Sequence, residues 1–283
     1  MESDVQQFWQ KNPCGAELVG DLNDRSRAEY EAFFARYDEY RYTKEAHILD
    51  CLDAVAFDGK RVLEIGLGQG ADGEQIVRRG GFYSGVDLTD EAASRTRMRF
   101  TVKNLPFERI ERASALKLPF DDNSFDIVFS HGVLHHIPDI KIAQKEIARV
   151  LRRDGKLVAM LYAKWSMNYL ASIFVFRRLG LLAMYFLGIK ADGIYGDHLA
   201  NAKKAGIWKY LSMDNFINVS TDGAFNPYSK VYGTAEVRAD FPDFEISKTG
   251  KYFMYAPPLP VSQLPLASLL GWHLWAELKP KGS

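Results

Sequence analysis

The stretch Arg61-Val-Leu-Glu-Ile-Gly-Leu-Gly-Gln-Gly-Ala71 decides the fold. Its apolar first half predicts a buried strand, its glycines predict a tight turn, and the segment from Asp72 to Arg79 predicts a helix. Glycines at such a turn allow the backbone to approach a ligand closely. One strand further on, Phe82-Tyr-Ser-Gly-Val-Asp87 ends in a carboxylate, where a nucleoside would present its ribose hydroxyls. The sequence therefore predicts a nucleoside-cofactor site.

Composition sets the outer limits of this interpretation. The chain has 283 residues, of which 47% are hydrophobic, enough for one large domain with a substantial cap. Its 36 basic and 36 acidic side chains cancel, so no nucleic-acid partner is expected. Cys14 and Cys51 give neither a disulfide framework nor metal-ligand spacing, and the polar, acidic N-terminus does not resemble a signal peptide. We expect a cytoplasmic protein.

Four parts are predicted along the chain. Residues 1–56 form a helical cap or lid, 57–162 alternate strands and helices around a parallel sheet, and 163–232 form an inserted substrate cap. Residues 233–283 complete the sheet and end in an apolar helix, Pro265–Leu278. The expected strands are Arg61–Ile65, Phe82–Val86, Glu108–Arg112, Phe125–Ser130, Lys156–Leu161, Phe244–Lys248 and Tyr252–Tyr255.

The glycine turn fits two classes of cofactor. Gly66-x-Gly68-x-x-Ala71 followed by Asp87 satisfies the dinucleotide fingerprint, which favours an NAD(P)-dependent oxidoreductase. Glu64, inside the strand end, instead suits a ligand with a cationic amino-acid part, because a carboxylate there would repel a pyrophosphate. The block His131-Gly-Val-Leu-His-His-Ile-Pro138 also weighs against the oxidoreductase. A non-catalytic protein that binds the cofactor is the third alternative.

Five motifs in register resemble the class I S-adenosylmethionine-dependent methyltransferases, in particular the group around the ubiquinone/menaquinone-type enzymes, over about residues 57–162. The motifs are the glycine turn, Phe82–Asp87, Leu116–Phe129, His131–Pro138 and Val150–Val158. The resemblance implies an α/β fold, a Rossmann-like doubly wound sheet of seven strands, mostly parallel with one antiparallel strand, plus a helical cap. It also implies methyl transfer to a small-molecule acceptor, with S-adenosyl-L-homocysteine as product, mainly by positioning and desolvation.

The resemblance further implies roles for individual residues. The methionine part of the cofactor would lie against Glu64, Gly66, Gly68, Ser130 and His131, and Gly70 would permit the turn. Asp87 would accept from the ribose hydroxyls, and Leu88, Ala115 and Leu116 would flank the adenine. Ser114 departs from the family, which often has an aspartate there, so the adenine amino group would lose a charged acceptor.

Candidate catalytic residues come from the same block. His135 and His136 would face the acceptor as a general base or a hydrogen-bond partner; alternatively they cap the next helix. No carboxylate or cysteine accompanies these histidines at ligand spacing, so no metal is expected. Tyr37 and Tyr42 are the predicted lid residues within an aromatic and basic helix, whose alternative is an ordinary amphipathic helix with a solvated face.

Acceptor recognition is predicted from the polar, turn-rich segment 220–232 and from one histidine in the cap. The candidates are His198, Asp222, Asn226, Tyr228 and Lys230. A structured surface turn is the alternative.

Two apolar segments raise the question of a membrane. Residues 169–189 are long enough to span a bilayer, but Arg177 and Arg178 at their centre disfavour a transmembrane helix. A pair of apolar helices beside the acceptor pocket is expected instead. The C-terminal helix with Trp272 and Trp275 would give weak contact with a membrane surface, and core packing or a homodimer seam is the alternative. The cap suggests an apolar natural product or a lipid-like intermediate as acceptor.

Overall fold

The computed structural model describes residues 1–13, 15 and 26–282. A seven-stranded sheet with the order β3-β2-β1-β4-β5-β7-β6 forms the centre of the molecule. Strands β1 to β5 pair in parallel, and β7 runs antiparallel to both of its neighbours, β5 and β6, so six of the seven strands share one direction. The strands are β1 Arg61–Ile65, β2 Phe82–Asp87, β3 Arg109–Arg112, β4 Phe125–His131, β5 Leu151–Tyr162, β6 Phe244–Tyr252 and β7 His273–Pro280. The predicted Rossmann-like fold with one antiparallel strand is confirmed.

Helices cover both faces of the sheet and form a cap. Those before and between the strands are α1 Glu2–Lys11, α2 Arg27–Lys44, α3 His47–Asp53, α4 Ala71–Arg78, α5 Asp90–Val102 and α6 Ile140–Val150. The later ones are a π-helix Asn168–Arg177, then α7 Arg178–Phe186, α8 Gly193–Ala205, α9 Ile207–Tyr210, α10 Met213–Thr221, α11 Thr234–Asp240 and α12 Ala267–Leu270.

The site is positioned by the order of the strands. β1 pairs with β2 on one side and with β4 on the other, so the direction in which successive strands are added reverses between β1 and β4. In open α/β sheets a ligand crevice forms at this point, outside the carboxyl ends of the strands. The residues after Ile65, Val86 and Ser130 therefore meet at one edge.

Buried ion pairs fasten α2 to the sheet domain. Arg99 of α5 is fully buried and its guanidinium contacts Asp38 of α2, while the same side chain lies 2.7 Å from Glu74 of α4. Lys103 also lies 2.7 Å from Glu74. Removing one partner would leave a buried charge without compensation, so these contacts fix the position of α2. α2 is thus anchored to the sheet domain.

The cap between β5 and α11 has a hydrophobic core of its own. Ile173, Leu181, Leu199 and Phe216 are among its buried members, and Tyr162 of β5 packs against it. By length and composition, the helix Asn168–Phe186 could cross a bilayer, and only 17% of its apolar 18-residue stretch is buried in the protein.

The predicted C-terminal helix Pro265–Leu278 is wrong. Only Ala267–Leu270 is helical, and Trp275 lies in the middle of β7. β7 is buried on both faces, so its apolar residues are consecutive, and a doubly buried strand cannot be told from a buried helix by periodicity. Both Trp272 and Trp275 are buried, so the interfacial contact expected from this helix has no basis. The seventh strand is likewise β7, not Tyr252–Tyr255.

Candidate active site

The turn after β1 forms the floor of a cavity at the carboxyl edge of the sheet. Gly66 and Gly68 both line this cavity and have φ angles of 85° and 51°, in the left-handed region that favours glycine. A Cβ on Gly66 would lie 2.1 Å from the side chain of Val133, whereas one on Gly68 would point into open space. The turn therefore leaves room for a ligand against its backbone. Gly70 adopts a left-handed conformation as the N-cap of α4 and lies outside the lining.

A buried acid stands directly behind the glycine turn. Glu64 lines the cavity, is 1% exposed, and accepts a short hydrogen bond from the hydroxyl of Tyr83. Burial raises the pKa of Glu64 well above its ordinary value, and the nearby charge of Asp72 raises this pKa further. A cation arriving beside Glu64 would stabilise the ionised carboxylate.

Asp87 ends β2 beside this turn. Its Oδ2 accepts from the backbone N–H of Leu67 at 2.8 Å, and its Oδ1 accepts from the N–H and the hydroxyl of Thr89, both at 2.8 Å. Burial raises the pKa of Asp87, although the hydrogen bonds from Leu67 and Thr89 oppose this rise. The hydrogen bonds orient the carboxylate toward the cavity that it lines, in the position expected for a ribose-binding acid.

Beyond Asp87, the cavity lining is apolar and has an acidic edge. Leu88, Ala115 and Leu116 line it, as the resemblance implies for an adenine pocket. Ser114 does not line the main cavity; its hydroxyl accepts from the N–H of Leu116 and donates to the carboxylate of Glu2. Glu2 does line the cavity, so a carboxylate is present where the family's aspartate is replaced.

Helix α1 belongs to the region predicted as a cap or lid and closes the cavity from above, whereas both predicted lid residues lie in α2. Glu2, Val5 and Trp9 face the cavity, and Gln6 donates to the carbonyl of Leu88 at 3.1 Å. These residues occupy helical positions i, i+3, i+4 and i+7, which share one face. This spacing can be recognised in the sequence, but it does not show which part of the protein the shared face covers.

The predicted lid tyrosines separate in the structure. Tyr37 of α2 lines the cavity, whereas Tyr42 packs against the core beneath β1 and lies outside the lining. Arg41, between them, binds Asp72 at 2.7 Å and lies 3.0 Å from Nδ1 of His131. Because these contacts hold α2 in place, we regard α1 as the helix that covers the cavity.

His131 belongs to a fixed polar network at the end of β4. Its Nδ1 lies 2.8 Å from Asp72 Oδ2, and its ring lines the cavity. Burial alone would raise the pKa of Asp72, but Arg41 and His131 outweigh it and hold this pKa below its ordinary value. Ser130, the preceding residue, donates to the carbonyl of Ile65 at 2.9 Å and lies outside the lining, so it joins two strand ends.

The two candidate catalytic histidines have different surroundings. His136 lines the cavity, and its Nδ1 lies 2.9 Å from the backbone carbonyl of Tyr228. Because a carbonyl only accepts, Nδ1 carries the proton and leaves the lone pair on Nε2. That Nε2 lies 3.5 Å from Asp222 Oδ2, and Asp222 also lines the cavity. Tyr162 orients Asp222 by donating to its Oδ1 at 2.9 Å. This arrangement can accept a proton at Nε2, with the Asp222 carboxylate beside the imidazolium that would form.

His135 lies outside the cavity lining and is completely buried. Its ring centroid lies 3.8 Å from that of Tyr162, and burial lowers the pKa of His135 well below its ordinary value. A neutral, enclosed imidazole that packs on an aromatic ring has a structural role here, so the geometry does not support the predicted catalytic role.

The other predicted acceptor contacts are occupied within the protein and lie outside the lining. His198 Nδ1 pairs with the hydroxyl of Tyr210 at 2.7 Å, inside the cap. Asn226 donates to the carbonyl of Asn218 at 2.9 Å, and Lys230 binds Asp240 at 2.5 Å. Tyr228 contributes its backbone carbonyl to His136. Of the predicted contacts, the structure thus brings Asp222 alone to the cavity.

Three potential metal ligands lie at the cavity wall. Glu45, His131 and His273 each offer one atom, and these atoms lie within 4.8 Å of one another. The side chain of Arg41, which also lines the cavity, brings a positive charge to this group.

One cavity with a volume of about 290 Å³ is lined by Glu64, Gly66, Gly68, His136 and Asp222. This is near the lower limit of typical small-molecule pockets. The acid and the glycine turn lie at one end, and His136 with Asp222 lies at the other.

Residues 63–159 match the family model for the methyltransferase domain. The chain is 36% identical over 100 residues to a fatty-acid O-methyltransferase of Mycolicibacterium smegmatis, covering 35% of each chain. It is 34% identical over 103 residues to the phthiotriol/phenolphthiotriol dimycocerosates methyltransferase of Mycobacterium tuberculosis, covering 36% of this chain and 37% of the relative. The chain thus spans little more than a third of the length of these curated relatives.

Solved structures resemble nearly the whole chain. The PH0226 protein of Pyrococcus horikoshii aligns with a TM-score of 0.55 at 16% identity, covering 97% of this chain and 99% of that one. A SAM-dependent methyltransferase from Aquifex aeolicus aligns with a TM-score of 0.51 at 12% identity, covering 90% and 98%. At these identities the likeness shows the shared fold. The ubiquinone/menaquinone-type subgroup stays a prediction. Residues 63–159 thus match a methyltransferase domain, and the chain shares its fold with these solved structures.

Proposed function

We propose that this protein transfers a methyl group from S-adenosyl-L-methionine to a small, apolar acceptor molecule. The observation that carries the proposal is one cavity with two chemically different ends: Gly66, Gly68 and Asp87 at the first, His136 and Asp222 at the second. The first end suits a nucleoside joined to an amino acid. The second end suits removal of a proton.

The residues of the first end fit the proposed cofactor along its whole length. Asp87 would accept from the ribose hydroxyls, and Leu88 and Ala115 would hold the adenine between apolar surfaces. Glu64 would face the ammonium of the methionine part, whose charge offsets the desolvation that raises the Glu64 pKa. Glu2 would accept from the adenine amino group in place of the family's aspartate. When bound, the cofactor supplies an activated methyl group on a sulfonium.

At the second end the protein positions the acceptor and removes its proton. Nε2 of His136 would take the proton from an acceptor hydroxyl or amine as the methyl group bonds to that oxygen or nitrogen. Asp222 would stabilise the imidazolium that results. Trp9, whose ring centroid lies 5.2 Å from that of His136, would exclude water from this end.

An apolar acceptor is favoured by the surroundings of this end. Met160 and Tyr162 line the cavity, and Tyr162 joins it to the hydrophobic core of the cap. The fatty-acid and phthiotriol methyltransferases among the relatives carry lipid-like acceptors in their names.

The test has a binding arm and a turnover arm. Calorimetry with stripped protein should show micromolar binding of S-adenosylmethionine and S-adenosylhomocysteine and none of NADH. Transfer of a labelled methyl group should then be followed with fatty acids, lipid-like alcohols and hydrophilic amines. Binding of NADH alone would contradict the cofactor, and methylation of hydrophilic acceptors alone would contradict the acceptor class.

A further inference from the structure

The cap exposes apolar side chains on a scale that is unusual for a protein surface. Leu179 is 58% exposed, Phe186 63%, Leu187 75% and Trp208 70%. Large contiguous apolar patches on soluble proteins mark interaction sites, whereas single exposed apolar residues need no explanation.

These side chains form a continuous stripe. Leu179, Ala183, Phe186 and Leu187 lie at helical positions i, i+4, i+7 and i+8, and all are exposed. The ring of Phe186 lies 6.3 Å from that of Trp208, which joins α7 to α9. We call this stripe, with Ile189, the apolar cap face.

α7 is apolar on both its sides. Leu181 is buried in the core of the cap, while Leu179 and Phe186 face solvent. An ordinary surface helix has a polar outer face, and a helix that is apolar all round belongs in a core or against a membrane. The outer face of α7 therefore needs a partner.

The charges around the apolar cap face indicate what kind of partner covers it. Between residues 168 and 210 there are six basic and two acidic side chains, although the whole chain has a net charge of zero. Lys190 and Lys209 are exposed close to Ile189 and Trp208 in sequence. Apolar and aromatic side chains beside lysines are the combination that binds the interface of an anionic bilayer.

A bilayer-spanning arrangement does not fit the contacts of this segment. Arg177, at the junction of the π-helix and α7, donates to the carbonyls of Ser220 and Pro257, so the helix is tied to the body of the protein. Leu181 packs inside the cap on the same helix. We propose that the apolar cap face lies on the surface of an anionic lipid bilayer, with α7 parallel to the membrane plane.

Such docking would place the acceptor end of the cavity close to the bilayer. The core of the cap reaches Tyr162, which also lines the cavity and bonds to Asp222. A lipid-soluble acceptor would then enter from the membrane side. This consequence rests on the proposed function, whereas the docking itself does not.

Vesicle co-sedimentation tests the docking. Vesicles of phosphatidylcholine alone and of phosphatidylcholine with phosphatidylglycerol should be compared at low and high salt. Wild type should bind the anionic vesicles at least tenfold more tightly, and salt should weaken this binding. Leu179→Glu with Trp208→Glu should abolish binding. Ile142→Glu with Phe107→Glu, two exposed residues of the sheet domain, should leave it unchanged.

Three outcomes would overturn the proposal. The first is protein that stays in the supernatant with both kinds of vesicle, and the second is equal binding to both. The third is a dimer in sedimentation equilibrium that Trp208→Glu dissociates, which would make a second copy the occupant. Methyl transfer to an apolar acceptor supplied without vesicles would survive all three, so this failure is distinct from failure of the proposed function.

Discussion

The two ends of the cavity are built in different ways. The cofactor end comes from residues that each lie within a few positions of the end of β1, β2 or β3, and backbone hydrogen bonds fix its acid, Asp87. The acceptor end joins His136 to Asp222, 86 positions apart in the chain, and Trp9 covers it from α1. The first end is a property of the fold, while the second is a property of this chain's cap. Substitutions at the two ends should therefore separate binding of the cofactor from turnover.

The largest effect is expected at the acceptor end. His136→Gln should lower kcat about 100- to 10,000-fold, because the general base is lost, while affinity for S-adenosylhomocysteine stays unchanged. His198→Gln is the matched control, since His198 is half-buried within the cap and pairs with Tyr210. Steady-state transfer and calorimetry measure the two quantities. A His136→Gln enzyme with normal kcat would leave positioning alone as the source of catalysis.

The cofactor end should show the opposite pattern. Asp87→Ala removes two charge-assisted hydrogen bonds to the ribose, each worth about 1.5–3 kcal/mol, so affinity should fall at least about 100-fold. Because Asp87 also accepts from Leu67 and Thr89, a thermal melt must show that the fold is intact. Asp90→Ala, one turn further on and exposed, is the control. Unchanged affinity in folded Asp87→Ala would mean that the ribose lies elsewhere.

The same contrast explains what the sequence could predict. Glu64, Gly66 and Asp87 were found because strand, turn and strand follow one another, and a parallel sheet brings such ends together. Asp222 was a candidate within a polar segment, but its pairing with His136 depends on how the cap folds back. His135 and His136 are neighbours of identical type, and only packing decides which one faces the cavity.

What the sequence left open has equally local causes. α1 was predicted as part of a cap or lid without its cavity contacts, because an amphipathic face shows that something is covered without showing what. β7 was mistaken for a helix since strand residues buried on both faces lose the alternation that marks a strand. In both cases the missing information is the identity of the neighbouring element.

A smaller effect tests whether α1 belongs to the cofactor end. Glu2→Gln should weaken S-adenosylhomocysteine binding about tenfold, the lower limit for losing a hydrogen bond to a charged group. Asp4→Asn, on the exposed side of the same helix, is the control. The deaminated analogue S-inosylhomocysteine has a carbonyl oxygen in place of the amino group, so its affinity should not fall in Glu2→Gln. Equal losses for both nucleosides would show that Glu2 acts by holding α1 rather than by contacting adenine.

The cofactor end should also make the affinity for S-adenosylhomocysteine depend on pH by a few-fold. Burial and Asp72 raise the Glu64 pKa in the free protein, and a bound ammonium would lower it, so binding should release a proton. Affinity for S-adenosylhomocysteine should therefore rise with pH below about 7, where the ligand amine is still charged. 5′-Methylthioadenosine lacks that amine and should show no such dependence. Calorimetry in two buffers of different ionisation enthalpy counts the protons, and none released would contradict this coupling.

The smallest effect concerns the wall between the two ends. Glu45, His131 and His273 resemble a metal-ligand set, but the Arg41 guanidinium lies 3.0 Å from Nδ1 of His131 and repels a cation. We expect EDTA to leave transfer unchanged and added Zn²⁺ not to raise the melting temperature. His273→Gln would be the control if Zn²⁺ did stabilise the protein, because loss of that stabilisation would locate the ion at this wall. If EDTA abolished activity and a divalent cation restored it, the acceptor end would be a metal-assisted site. His136 would then not be the general base.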